Sequence, residues 1–148
     1  MMRSIQWKHG FLALVVSFTC SCFCGPRHPI YAPVLLESGV EVTDIVIPEL
    51  GPEVVAGDRV LLHYELKLAD GSLVDSSFER GQPIEVVVGE GELPAGLEEG
   101  LLGMRLFGKR RLVVPAALGY GEEGLEEQVP PNALLYFLLE LMGLTPSP

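Results

Sequence analysis

The chain has 148 residues, 48% of them hydrophobic, with 20 acidic against 10 basic side chains, a formal charge of −10 and a mean hydropathy of +0.34. That length suits one domain with appendages. The acidic balance argues against a nucleic-acid partner, because phosphate binding needs a basic face.

The apolar excess begins at the N-terminus, in "MMRSIQWKHGFLALVVSFTCSCFCGPRHP". A basic start (Arg3, Lys8) precedes an apolar run from Gly10 to Phe18, too short for a membrane span of about 20 apolar residues. Residues 1–24 therefore read as a secretory signal, a tail anchor or a misassigned start codon being the alternatives. Cys20, Cys22 and Cys24 follow the run, and the rest of the chain has no cysteine. The body thus has neither a disulfide framework nor a cysteine zinc site. The position resembles a bacterial lipoprotein signal, with Cys20 and Cys22 as lipidation candidates. Neither has the usual leucine three residues back, so lipidation and ordinary cleavage both stay open. Residues 25–37 carry Pro26, Pro29 and Pro33 without a clear period and read as a linker. Arg3, Lys8 and Arg27 all precede residue 30, and beyond it 7 basic residues stand against all 20 acidic ones, a formal charge near −13. The expectation is an exported acidic domain over residues 38–145, periplasmic or lipid-anchored to the cell envelope.

From Ser38 the signals are mostly β. "GVEVTDIVI" is rich in β-branched residues and reads as a strand; "PELGPEVVAGD" reads as a loop. "RVLLHYELKL" puts Val60, Leu62, Tyr64, Leu66 and Leu68 on one face, the pattern of a half-buried strand. "ADG" signals a hairpin, "SLVDSS" a returning strand and "FERGQP" a loop. After the strand "IEVVVG", Leu97, Leu101 and Met104 recur at helical spacing, with Glu98 and Glu99 where acids favour the positive end of a helix. "KRRLVVP" is a further strand, its basic cluster read as a solvated edge. "AALGYGEEGLEEQVPPNA" is a long loop. "LLYFLLELMGL" fits helix or strand by periodicity; the preceding Pro-Pro-Asn and the aromatic pair favour a central strand buried on both faces. About five strands and one short helix predict an α+β domain, an antiparallel sheet packed on the helix.

Catalytic constellations are scarce. His63, the only histidine in the body, reads as an exposed strand residue. No HExxH, GxSxG or Walker loop occurs. Glu122, Glu123, Glu126 and Glu127 lack the spacing of a calcium loop and read as a solvated acidic loop. What remains is a set of apolar and aromatic residues at strand ends and loops, with Asp75 among them. On their own they read as core as readily as pocket.

"HY…DG…DSS", "GLEEGLLGM", "GKRRLVVPAALGYG" and "PPNA.L.F..EL" occur in order between about Gly39 and Leu144. In these blocks the chain resembles the FKBP-type peptidyl-prolyl cis-trans isomerases. The resemblance implies a twisted antiparallel sheet wrapped over the short helix, with a pocket between them. It assigns Tyr64 and Phe137 to the pocket wall, Tyr120 to a hydroxyl donor and Asp75 to a buried carboxylate facing the reacting amide. Arg80 would position that side; Val74, Ile84, Leu93 and Val129 would be apolar lining, with Leu97 as the floor. It implies no cofactor or metal, proline-containing polypeptides as substrates and macrolides as inhibitors. The sequence departs from the family's pattern at Val74, Ile84 and Leu97, which are often aromatic. It departs again at Pro94, where many relatives carry a residue whose backbone N–H meets the ligand; a one-residue shift would instead place Leu93 or Ala95 there. Two expectations follow: a prolyl isomerase acting on exported proteins, or a peptide-binding or chaperone module that keeps the fold with little activity.

Overall fold

The structure is a computed structural model describing residues 31–125 and 127–147; the expected signal segment, with Cys20 and Cys22, lies outside them. The strict alternation over Arg59–Leu68 forms β3, with Val60, Leu62 and Leu66 buried and Tyr64 and Leu68 half-buried against the same core. β-branched and apolar residues likewise build β2 (Glu41–Val46), β4 (Leu73–Ser76), β5 (Ile84–Val87), β6 (Lys109–Val114) and β7 (Leu135–Thr145). With β1 (Val34–Leu35) they form one antiparallel sheet in the order β1-β2-β6-β7-β3-β4, β5 also pairing with β3. Helices α1 (Ser77–Arg80) and α2 (Ala95–Leu101) and a single 3-10 turn, Ala116–Leu118, complete the α+β fold.

Several elements differ from the sequence expectation. β1 lies inside the stretch read as linker, Val34 opposite Val42 and Leu35 opposite Glu41. The prolines end at Pro33, so the donors of the next residues are free to pair. The start of "FERGQP" is helical, not loop. The Ser76 hydroxyl accepts from Glu79 N–H, and Gly81 closes the turn at φ 66 in the left-handed region, conformations those residues favour. One turn is too short for periodicity to reveal.

β7 is central, between β6 and β3, yet it is not buried on both faces. Leu135, Phe137, Leu139 and Leu141 are buried, Tyr136 and Leu138 are half-exposed and Met142 is exposed. Only the inner face packs on α2; among the described residues no helix covers the outer one. At the basic strand start Arg111 is exposed and Lys109 half-exposed, but the residue between them is not solvated. Arg110 is buried and pairs with Asp44 on β2 at 2.6 Å, while its guanidinium also donates to the carbonyls of Gly100 (2.8 Å) and Leu102 (2.9 Å). It thereby satisfies carbonyls that the end of α2 leaves without helical donors.

α2 buries Leu97 and Leu101 against the sheet, with Met104 just beyond it, each removal from water stabilising the fold by about 1.5–3 kcal/mol. Gly96 and Gly100, one turn apart, let the helix backbone approach the sheet. A Cβ at Gly96 would lie 2.4 Å from Val114 Cγ1 and 3.1 Å from Leu118 Cβ; one at Gly100 would lie 2.2 Å from Leu112 Cδ1. Val114 is branched at Cβ and cannot swing aside without leaving its rotamer. Gly96→Ala is therefore expected to lower stability by about 1–3 kcal/mol through overpacking, despite the ~1 kcal/mol that alanine gains over glycine in a helix. Urea denaturation measures this, and a stabilised variant would show that the helix is not seated so closely.

Candidate functional site

The seat of α2 leaves a gap above its first turn. Tyr64 and Leu66 of β3, Val74 and Asp75 of β4 and Ile84 of β5 form one side of it. Leu93, Pro94 and Leu97 form the helical side, Phe137 of β7 the back, and Tyr120, Leu125 and Gln128 the loop side. The cavity holds about 110 Å³, room for a few waters at ~30 Å³ each, or for one small ring. A wider hollow of about 490 Å³ lies on the outer sheet face, but charged Glu41, Glu65, Lys67 and Arg111 interrupt its lining.

Nine of the eleven side chains singled out in the sequence line the smaller cavity: Tyr64, Val74, Asp75, Ile84, Leu93, Pro94, Leu97, Tyr120 and Phe137. Val129 and Arg80 do not. Val129 is buried in the core because Leu125 and Val129 exchange backbone hydrogen bonds (2.9 and 3.1 Å). That hairpin turns Val129 inward and brings Leu125 and Gln128 over the cavity in its place. That isolated pairing lies in a segment whose composition reads as loop, so the sequence carried no signal of it. Arg80 stands behind Asp75 with its guanidinium 5.5 Å from the Tyr64 ring centre.

Asp75 is less buried than expected, its side chain 39% exposed. It is held by partners instead of by burial. Oδ2 accepts from the Tyr64 hydroxyl, Oδ1 accepts from Arg80 and from the Ser76 N–H (2.8 Å), and Arg80 also donates to the Tyr64 oxygen at 2.9 Å. Desolvation opposes the charged carboxylate, but the Tyr64 hydrogen bond, the Arg80 charge and the Ser76 amide together outweigh it. They hold the Asp75 carboxyl below the ordinary aspartate range. Burial raises the Tyr64 and Tyr120 hydroxyls above the usual tyrosine value, and the Asp75 charge adds to both, so each keeps its proton at neutral pH. Tyr64 spends its proton on Asp75. Tyr120 has no hydrogen-bond partner among the described residues and remains a donor for a ligand.

The wall is braced from behind. Ser77 is fully buried, and its hydroxyl accepts from the Tyr64 N–H (2.7 Å) and lies 3.0 Å from His63 Nδ1. The His63 ring stacks on Phe78, centroids 4.6 Å apart. His63 is thus half-buried and ties α1 to β3; it is not the free strand residue that its position suggested.

Pro94 sits at the start of α2, and its carbonyl accepts from Leu97 N (2.8 Å) and Glu98 N (3.1 Å). Its fixed φ suits that place, and it brings no backbone donor to the cavity rim.

Because the Asp75 carboxyl is depressed on folding, the Tyr64–Asp75–Arg80 cluster contributes stability above the unfolded aspartate value. That contribution is lost as pH falls through the lower folded value. Carboxyl NMR titration should place the Asp75 midpoint below that of a peptide aspartate, with the Tyr64 ring shifts following it. A midpoint at or above the peptide value would show that the cluster is not formed.

Residues 51–142 match the family described as FKBP-type peptidyl-prolyl cis-trans isomerase. Over 92 residues the chain is 46% identical to "Peptidyl-prolyl cis-trans isomerase FKBP15-2" of Arabidopsis thaliana, a match covering 62% of this chain and 56% of that protein. It is 41% identical to "FK506-binding protein" of Neisseria meningitidis serogroup C, over 62% of this chain and 84% of that one. The crystal structure of AtFKBP13 superposes with a TM-score of 0.72 at 32% identity, covering 78% of this chain and all of that one. The chain thus spans less than two thirds of the plant FKBP15-2 protein. On the match over residues 51–142, in a fold shared with a solved relative, the chain belongs to the FKBP-type peptidyl-prolyl cis-trans isomerase family.

Proposed function

We propose that this domain accelerates cis-trans exchange of X-Pro bonds in proline-containing segments of exported proteins. One observation carries the reading: a small apolar cavity with Leu97 as floor and Phe137 as wall, edged by an uncommitted Tyr120 hydroxyl. Exchange crosses about 18–20 kcal/mol because twisting the amide destroys C–N resonance, and it takes tens of seconds or longer unaided. No bond to carbon is made, so the task needs no nucleophile. The planar amide is more dipolar than the twisted one, and an apolar cavity disfavours it more. A shape that fits the twisted form then lowers the barrier by differential binding. Tyr64 and Phe137 would wall the proline ring, Leu97 would support it, and Tyr120 would donate to a substrate carbonyl. Arg80 and Asp75 would hold Tyr64 in place. Export, followed either by anchoring through Cys20 or Cys22 or by ordinary cleavage without an anchor, is supported by the leader sequence alone.

Exchange spectroscopy on a short X-Pro peptide is expected to show catalysis, with Tyr120→Phe and Phe137→Leu each slowing it about tenfold, a loss of ~1.4 kcal/mol in transition-state binding. Leucine is preferred to alanine at 137 because that ring is buried in the core, and truncating it to alanine would cost about 3–5 kcal/mol of stability. Unchanged rates in both variants, with the fold intact, would remove the site assignment.

A second reading, a peptide-binding or chaperone module with little turnover, is favoured by Pro94 and by aliphatic Val74, Ile84 and Leu97 around the cavity. No acceleration at high protein concentration would decide for it. The names of relatives such as the Neisseria FK506-binding protein extend to this chain as a proposal that macrolides bind the same cavity. Pro94→Ile would restore a backbone donor worth about 1 kcal/mol and is expected to tighten macrolide binding roughly fivefold. Calorimetry would read it, and unchanged affinity would mean that the ligand does not meet residue 94.

A further inference from the structure

Two loops at the far end of α2 carry apolar side chains that nothing in the domain uses. Leu50 is 88% exposed and Phe107 63% exposed, with Ile47 and Met142 about two-fifths exposed. The loops are bonded to each other. Leu106 N donates to Pro52 O (3.2 Å), the Arg105 guanidinium donates to the carbonyls of Pro48 (3.3 Å) and Glu49 (2.9 Å), and Phe107 N donates to Leu141 O (2.9 Å), beside Met142. Phe107 adopts φ 67, a left-handed conformation unfavourable for a bulky residue. The chain therefore holds an aromatic ring out in water from a strained backbone. Exposed apolar groups collected in this way mark an interaction surface.

Where the chain enters the domain identifies the occupant. Tyr31 N donates to Asp44 O (3.3 Å), and Tyr31 shares a hollow of about 430 Å³ with Ile47, Pro48, Glu49, Met104 and Arg105. The lipidation candidates Cys20 and Cys22 are thus joined to the domain at this same end. The ten residues between Cys20 and Tyr31 reach roughly 35 Å at most when extended. A tether of that length makes even a weak surface contact count, through effective concentration. Charge permits it as well. Four of the seven basic residues beyond residue 30 fall between 105 and 111. Three of them neutralise nearby acids: Arg105 with Glu53, Lys109 with Glu140 and Arg110 with Asp44. Glu49 is the remaining exposed acid of the first loop, Asp58 being buried.

We propose that the domain rests on a lipid bilayer through Ile47, Leu50, Phe107 and Met142, on the export-and-anchoring reading above. α2 has seven residues and so spans about 10 Å. Its first turn floors the cavity and its last turn meets these loops, so the docked domain turns its cavity away from the lipid, towards soluble chains.

The test uses the full chain carrying Trp7→Phe, exported and recovered with its lipid anchor, on phosphatidylcholine vesicles with brominated acyl chains. A Leu50→Trp probe is expected to be quenched at least twofold. Leu73→Trp, on β4 and also solvent-facing in the free domain, is expected to be unaffected. Phe107→Gly added to Leu50→Trp is expected to abolish most of the quenching while raising or preserving the melting temperature, because glycine relieves the left-handed strain. Equal quenching at 50 and 73, or none at 50 in chains that float with the vesicles, overturns the proposal. A Leu50→Trp probe shielded without lipid, increasingly with protein concentration, makes a second copy the occupant and also overturns it. Failure to float at all removes both tether and docking. Peptide exchange, measured in solution, would still stand or fall independently.

Discussion

The cavity exists because α2 carries glycines where its backbone comes closest to the sheet. Gly96 and Gly100 bring the helix backbone against Val114 and Leu112 at distances no Cβ tolerates. Leu97, between them in sequence, is pressed to 2% exposure and cannot sink further or tilt away. Arg110 fixes the other end by joining the last carbonyls of α2 to Asp44 on β2. Removing a charge from water is costly unless it is paired and hydrogen-bonded, and this guanidinium is both. With both ends of a seven-residue helix fixed, the floor of the cavity has one height. That matters for the proposed chemistry, since a floor able to yield would accommodate planar and twisted amides equally and lose the difference in binding on which acceleration depends.

Periodicity carried the fold where a residue's neighbours are its own near sequence. The alternation over β3 and the Leu97–Leu101–Met104 spacing are local, and both are found in the structure. It failed where the deciding partner is distant. Arg110 reads as a solvated strand start because nothing in "GKRR" indicates Asp44, 66 residues earlier and directly opposite in register. Tyr136 and Leu138 read as buried because an apolar run does not reveal which sheet face goes uncovered. β1 and α1, at two and four residues, are shorter than any period that could reveal them.

The site was legible to a similar degree, for a different reason. Its members were found through motif blocks, and the structure gathers nine of them around one cavity. The two exceptions follow from backbone bonding that the blocks do not encode. The Leu125–Val129 pair turns Val129 into the core and presents Gln128, and the one-turn helix α1 holds Arg80 behind Asp75. Asp75 was expected to be buried because the resemblance implied it; physically a carboxylate beside an apolar cavity needs either shelter or partners. It has partners.

Those partners constrain the mechanism. With Tyr64, Arg80 and the Ser76 amide on its two oxygens, Asp75 stays ionised well into acid. It therefore cannot protonate a prolyl nitrogen at neutral pH, and a general acid is absent from that wall. Nor does its charge act alone on the cavity, because Arg80 compensates it from behind and the pair presents a dipole where a lone carboxylate would present a net charge. A bare carboxylate beside the amide would hold water in the cavity and shelter the planar, more dipolar form. A compensated one leaves the cavity apolar enough to favour the twisted form and still fixes the Tyr64 ring. On the proposed reading, the cluster serves catalysis by keeping water and net charge out of the space where the amide turns.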